Sequence, residues 1–307
     1  MIDEVPRDQG AIPPPRLSRG PRFGLGREGA RSIAIALGST VVVFTGLGLA
    51  IVNAPGWPEV QRSFFDAENF ARSAPGIVAK FEVNIRLFLI AEGLILVWGL
   101  VLAVLRSLPG PAFFPVRLLA TIYVDLLRAL PGVLVIFILG FGVPGLDIEG
   151  IPNDRFFWAV VALTLLYSAY VSEVYRAGIE SVHPSQAAAA RSLGLSQAQT
   201  LRHVVVPQAV RRVIPPLLND FIGLQKDTVL VSFLGVVEIF RQSQIREAAS
   251  FNYTPYLVTA LVFLVVTIPL ARFTDWLLAR ERDRRYAGAV RAGSGAARRG
   301  RLLGFRS

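Results

Sequence analysis

The feature that most limits this chain is a set of apolar stretches long enough to cross a lipid bilayer. Ile33–Val52 runs for about twenty residues without a charge, the length a membrane-spanning helix needs. Similar stretches cover Phe81–Leu105, Leu118–Phe141, Phe156–Ile179, Val210–Leu224 and Thr254–Leu278. The bilayer core offers no water to bond exposed backbone groups, so such stretches must satisfy their N–H and C=O groups internally. The reading is an all-α polytopic membrane protein with about six transmembrane helices. Asn53–Lys80 reads as an external loop with a short surface helix.

Composition agrees. The chain is 53% hydrophobic and 18% charged, with a mean hydropathy of +0.51, outside the ordinary soluble range. It has no cysteine, and its only histidines are His183 and His203. Disulfides, thiolate ligands and a histidine metal cage are therefore not expected, and no metal site is predicted. The net charge of +10 is almost all arginine and sits in the tails. Basic residues beside spans set orientation more often than they bind RNA. Residues 1–31 carry six arginines among proline and glycine and read as a disordered tail, and residues 280–307 carry nine arginines against two acids. Six spans then put both tails, the Arg106–Arg117 loop and the 183–207 segment in the cytoplasm. No signal-peptide pattern opens the chain.

His183–Pro207 is the one polar, well-capped segment between spans. Ser185 is placed to cap a first short helix, and Gly194 to close it in the left-handed conformation. Ser196 with Gln199 three residues on forms a capping-box pattern for a second helix. Leu193 and Leu195 are expected to pack this knob onto its own membrane helices. Its alanine-rich face, Ala188, Ala189 and Ala190 with Ser185, Gln186 and Arg191, is left for close approach by a partner. Two other readings stand beside this one. The segment could be a connecting loop without a partner. It also imitates a DNA-reading helix-turn-helix through Ala189, Gly194, Leu195 and Ser196. A reader of DNA would have to lie between two membrane spans, so no nucleic-acid partner is expected.

The run AAARSLGLSQAQTLRHVVVPQAVRR resembles the EAA loop of permease subunits of binding-protein-dependent ABC importers. Tyr175 to Thr228 resembles the polar amino-acid branch, and Tyr123–Pro131 matches that branch more loosely. The resemblance covers about Phe81–Leu278. It implies a type I importer-like core over 81–279 with a cytoplasmic coupling-helix loop, preceded by an extra helix and loop over 32–80. It further implies separate ABC ATPase subunits that hold ATP and Mg, and an identical or paralogous permease twin. An extracytoplasmic amino-acid-binding protein, the surrounding membrane lipid and a bacterial inner membrane location complete the set. Ala188 stands where the family usually has Glu, and that Glu would have completed a capping box with Ser185.

The chain has no phosphate-binding loop of its own, since that motif needs Gly-Lys followed by Ser or Thr. Its only lysines, Lys80 and Lys226, do not follow glycine. No catalytic residue and no cofactor are predicted in this chain. A self-sufficient secondary amino-acid transporter is the second class, suggested by the interruptions at Pro131-Gly132 and Gln225–Thr228. An integral membrane enzyme is the third, unsupported by any catalytic array.

Charges in spans default to function unless they lie near the ends. Glu82, Arg86, Glu173, Arg176 and Glu238 lie near ends and read as structural. Glu92 is mid-span, and Lys226, Asp227 and Thr228 lie at the predicted break of the fifth span. Arg128 and Lys226 could receive a substrate carboxylate, and Glu92 or Asp227 an ammonium. The bland alternatives are a Lys226–Asp227 pair and an Asp125–Arg128 pair.

Overall fold

The computed structural model describes residues 27–302, with side chains from 31 to 280. Every regular element there is helical. The chain divides into two units, residues 1–60 and 61–307. The disordered tail expected over 1–31 lies outside the described residues as far as residue 26.

The first unit contains α1 (Arg27–Val52). Its apolar side chains are exposed, Phe44 at 69% for example. The adjacent hydroxyls of Ser39 and Thr40 both bond back to the Ala36 carbonyl, so the helix leaves these two satisfied in an apolar surround.

The second unit is built on α3 (Ala67–Ser107) and α6 (Arg155–Glu180). Residues 53–80 hold the short helix expected there, α2 (Trp57–Phe64), but from Ala67 they are helix and not loop: the first turns of α3, which Asp66 caps by accepting from the Asn69 N–H at 3.0 Å. Hydropathy registers only the part of a helix that lies in hydrocarbon. The 41 residues of α3 rise about 60 Å, twice the ~30 Å apolar thickness. Leu87, Ala91 and Ile95 of α3 pack on Ala159, Ala162 and Leu163 of α6 in the main core.

The third predicted span divides where expected. It consists of α4 (Phe114–Ala129) and α5 (Gly132–Phe137), bent by 110° in all at the break. Pro131 drives its predecessor out of the helical region, and Leu130 is extended at ψ 142°. The fifth span does not divide as expected. Helix α9 (Val206–Asp227) continues to Asp227 and passes into a 3₁₀ helix over Thr228–Leu234. There is no unwound backbone at 225–228. Among the described residues, four helices are long and apolar enough to cross a membrane, or five with the bent pair counted as one. The expected sixth falls short because α9 carries Arg211, Arg212, Asp220, Lys226 and Asp227.

Buried polar bonds secure the far end. Asn84 of α3 donates to Thr228 at 3.1 Å and to Glu238 at 3.0 Å, and accepts from the Ile239 N–H at 3.1 Å. Glu238, fully buried, caps α10 (Ile239–Ser250) by accepting from Phe240 and Arg241 N–H groups. Helix α11 (Thr254–Leu302) closes the unit and carries its helix into the basic stretch 280–302.

Candidate functional site

The knob is a chain of local caps. Helix α7 (Pro184–Ser192) starts at His183, whose Nδ1 accepts from the Ser185 N–H at 3.2 Å and lies 2.8 Å from the Ser185 hydroxyl. Ser185 is therefore not the cap. Pro184 at the first helical position makes His183 the cap. Helix α7 ends with Leu195 N–H on the Ala190 carbonyl at 3.2 Å and Gly194 N–H on Arg191 at 3.0 Å. That is a Schellman closure, with Gly194 at φ 86°. Helix α8 (Gln197–Thr200) starts at once, held by a complete capping box. Ser196 N–H donates to Gln199 Oε1 at 2.9 Å, and Gln199 N–H to Ser196 Oγ at 3.2 Å. Pro207 brings no N–H to the start of α9. The preceding turn is π-helical over Leu201–Val205.

The burial pattern corrects one expectation. Leu193 is 85% exposed and Leu195 half-buried, while Ala190 and Thr200 are buried. The knob packs through the small residue, and Leu193 projects beside Ala188 and Ala189, which are exposed. The cap at His183 also moves the helix register. The third helical residue is Gln186, so Ala188 is not a capping-box position. Ala188→Glu should therefore change helix stability by no more than ~0.5 kcal/mol. Circular dichroism melts of the purified variant check this, and a change near the ~1 kcal/mol typical of a cap would restore Ser185 to that role.

The knob is tied to the membrane helices. Arg212 of α9 donates to the Ser181 carbonyl at the end of α6. A Cβ on Gly178 would collide with the Val213 side chain, so only glycine lets α6 and α9 approach so closely. Glu173 lies one turn deeper and collects Arg106, Arg176 and, at 3.9 Å, Arg128. It joins α3, α4 and α6. Arg128 also lies 5.8 Å over the ring of Tyr170. It does not join Asp125 in the described ion pairs.

A cavity of about 290 Å³ opens between the start of α5, α6 and α9. Gly132, Tyr167, Tyr170, Asn219, Asp220 and Asp227 line it. Tyr167 donates to Asp227 Oδ2 at 2.7 Å. Asp220 Oδ2 is buried with no hydrogen-bond partner. Glu92 does not line the cavity. Thr228 is fully buried and belongs to the Asn84 bonds. Lys226 is exposed and outside the cavity, and none of the described ion pairs links it to Asp227. Of the five expected path residues, only Asp227 lines this space. Tyr167, Tyr170, Asn219 and Asp220 were not foreseen; the signal available was the polar Asn219-Asp220 step inside an apolar run.

Residues 76–283 match the family described as "Binding-protein-dependent transport system inner membrane component". The chain belongs to that family. It is a multi-pass membrane permease, and the family resemblance read from the 188–212 segment holds. The chain is 36% identical to a probable glutamine ABC transporter permease protein of Bacillus subtilis (strain 168), over 59% of this chain and 82% of that protein. It is 31% identical to the arginine transport system permease protein of the same organism, over 64% and 88%. It is 32% identical to the glutamate/aspartate import permease protein of Escherichia coli O157:H7, over 70% and 98%. A crystal structure of an amino acid ABC transporter with histidines aligns at TM-score 0.64 and 29% identity, covering 70% of this chain and 98% of that one.

Proposed function

We propose that this permease forms, with an identical or paralogous twin, the path of an ATP-driven importer for a polar amino acid. Separate ATPase subunits hold ATP and Mg, and an extracytoplasmic binding protein delivers the substrate. The observation that carries the coupling half of this reading is the α7–α8 knob. It is a rigid, doubly capped surface led by Leu193, and it is bolted through Arg212 and Gly178 to the helices that line the cavity. A partner that moves the knob moves α6 and α9 with it. Cavity chemistry supports an amino-acid substrate. Asp220 and Asp227 offer acceptors to an ammonium, and the Tyr167 and Tyr170 rings offer faces to a cation. Lys226 and Arg128 do not line that space and are not part of the reading.

Reconstitution tests it. Vesicles holding the permease, its ATPase and its binding protein should accumulate labelled amino acid only with all three present and ATP on the ATPase side. Uptake by the permease alone, without ATP, would establish the secondary-transporter reading instead. Orientation has its own check. The arginine bias places both tails and the knob inside. Reporters fused after Ser307 and inserted beside Gly194 should both report cytoplasm, and an external signal from either would reverse the assignment.

A further inference from the structure

We infer that the exposed face of α11 ends in a binding site for anionic phospholipid headgroups, built from Arg272, Trp276 and Arg280. Leu261, Val265 and Ile268 are 48%, 70% and 53% exposed, at the spacing of one helix face. The same stripe continues through Arg272, Trp276 and Arg280, each four residues after the last. From Thr254 to Arg272 the helix rises about 27 Å, close to the ~30 Å hydrocarbon thickness. Hydrocarbon-facing side chains therefore give way to arginine at headgroup depth. Trp276 is 52% exposed and stacks on Phe273 at 5.9 Å between ring centres, and the Arg280 guanidinium lies 5.3 Å over its ring.

A tryptophan with one apolar side and one polar tip is the usual occupant of that depth. Here it also fixes the guanidinium above it. Arg272 and Arg280 are exposed, and neither takes part in a described ion pair. Asp275 flanks the stripe, without a described pair to Arg272, and Glu281 and Asp283 follow Arg280 in the sequence, where arginine still outnumbers them. Eight residues separate the two arginines, about 12 Å along the axis, but the Arg280 guanidinium lies back over the Trp276 ring, which brings its charge nearer the depth of Arg272. Helix α11 then runs on into a stretch with nine arginines against two acids, which adds attraction to the same surface. On the orientation proposed above, this end faces the cytoplasm.

The test uses the permease purified with its ATPase. Its thermal midpoint is followed as phosphatidylglycerol, phosphatidylcholine or inorganic phosphate is added. Phosphatidylglycerol alone should raise the midpoint, and its advantage should shrink in 1 M salt, where the ~3 Å screening length removes surface attraction. Arg272→Gln with Arg280→Gln should raise the half-effective lipid concentration about thirtyfold, about fivefold from each arginine. Equal stabilisation by phosphatidylcholine, or a response in free phosphate, overturns the proposal. So does an unchanged phosphatidylglycerol response in the double variant. If that variant instead separates the permease pair while its lipid response persists, the stripe is a subunit interface. If the double variant fails to insert, the single variants Arg272→Gln and Arg280→Gln are read in the same way, each expected to raise the half-effective lipid concentration about fivefold, and an unchanged response in both overturns the proposal.

Discussion

Gly194→Val is expected to leave the permease inserted and folded but to uncouple it from its ATPase. Gly194 sits at φ 86° with nothing within 4 Å of where a Cβ would be. The cost is therefore in the backbone, not in a clash. The left-handed conformation costs other residues roughly 1–2 kcal/mol, and a β-branched side chain more. That cost falls on the Schellman closure that sets α7 against α8. The relaxed chain gives up the Leu195–Ala190 and Gly194–Arg191 bonds and opens the angle between the two short helices. The membrane core on α3 and α6 makes no use of that angle. Loss of the knob's shape should reduce recovered ATPase about tenfold or more, the effect of ~1.4 kcal/mol in affinity. Co-purification of the ATPase chain and substrate-stimulated hydrolysis in vesicles measure it. Normal values for both would remove the knob from the coupling role.

Asp220→Asn should lower transport while leaving stability unchanged or slightly raised. The two effects have opposite signs because the Asp220 carboxylate has a buried oxygen without a hydrogen-bond partner. An unpartnered buried charge is a cost to the empty protein, and a neutral isostere relieves it. A substrate ammonium would supply the missing partner. A hydrogen bond to a charged group is worth about 1.5–3 kcal/mol, so uptake at subsaturating substrate should fall about tenfold to a hundredfold. ATPase association should hold, since Asp220 is far along α9 from the knob. Wild-type uptake by the variant would remove Asp220 from the path. A variant that melted early would make the residue structural.

The residues that were legible and those that were not differ in the range of the interactions that place them. The capping box at Ser196 and Gln199 and the reversal at Gly194 are formed by residues three to five apart. Their geometry follows from residue type alone. The kink at Pro131 is local too. His183 was within the same reach but went unread, because histidine is not a usual cap. Proline in the next position was the clue.

The cavity had no such signature. Tyr167 and Asp227 stand sixty residues apart, and only the packing of α6 on α9 across Gly178 sets their side chains 2.7 Å from each other. The charged pair at 226–227 illustrates the limit. Adjacent helical residues point about 100° apart, so once packing turns Asp227 toward Tyr167, Lys226 must turn away. Apolar length and local caps determined the helices, the membrane and the knob, because each depends on a few neighbouring residues. Which charges share the cavity was decided by helix rotation, and that is set by contacts between spans far apart in the chain.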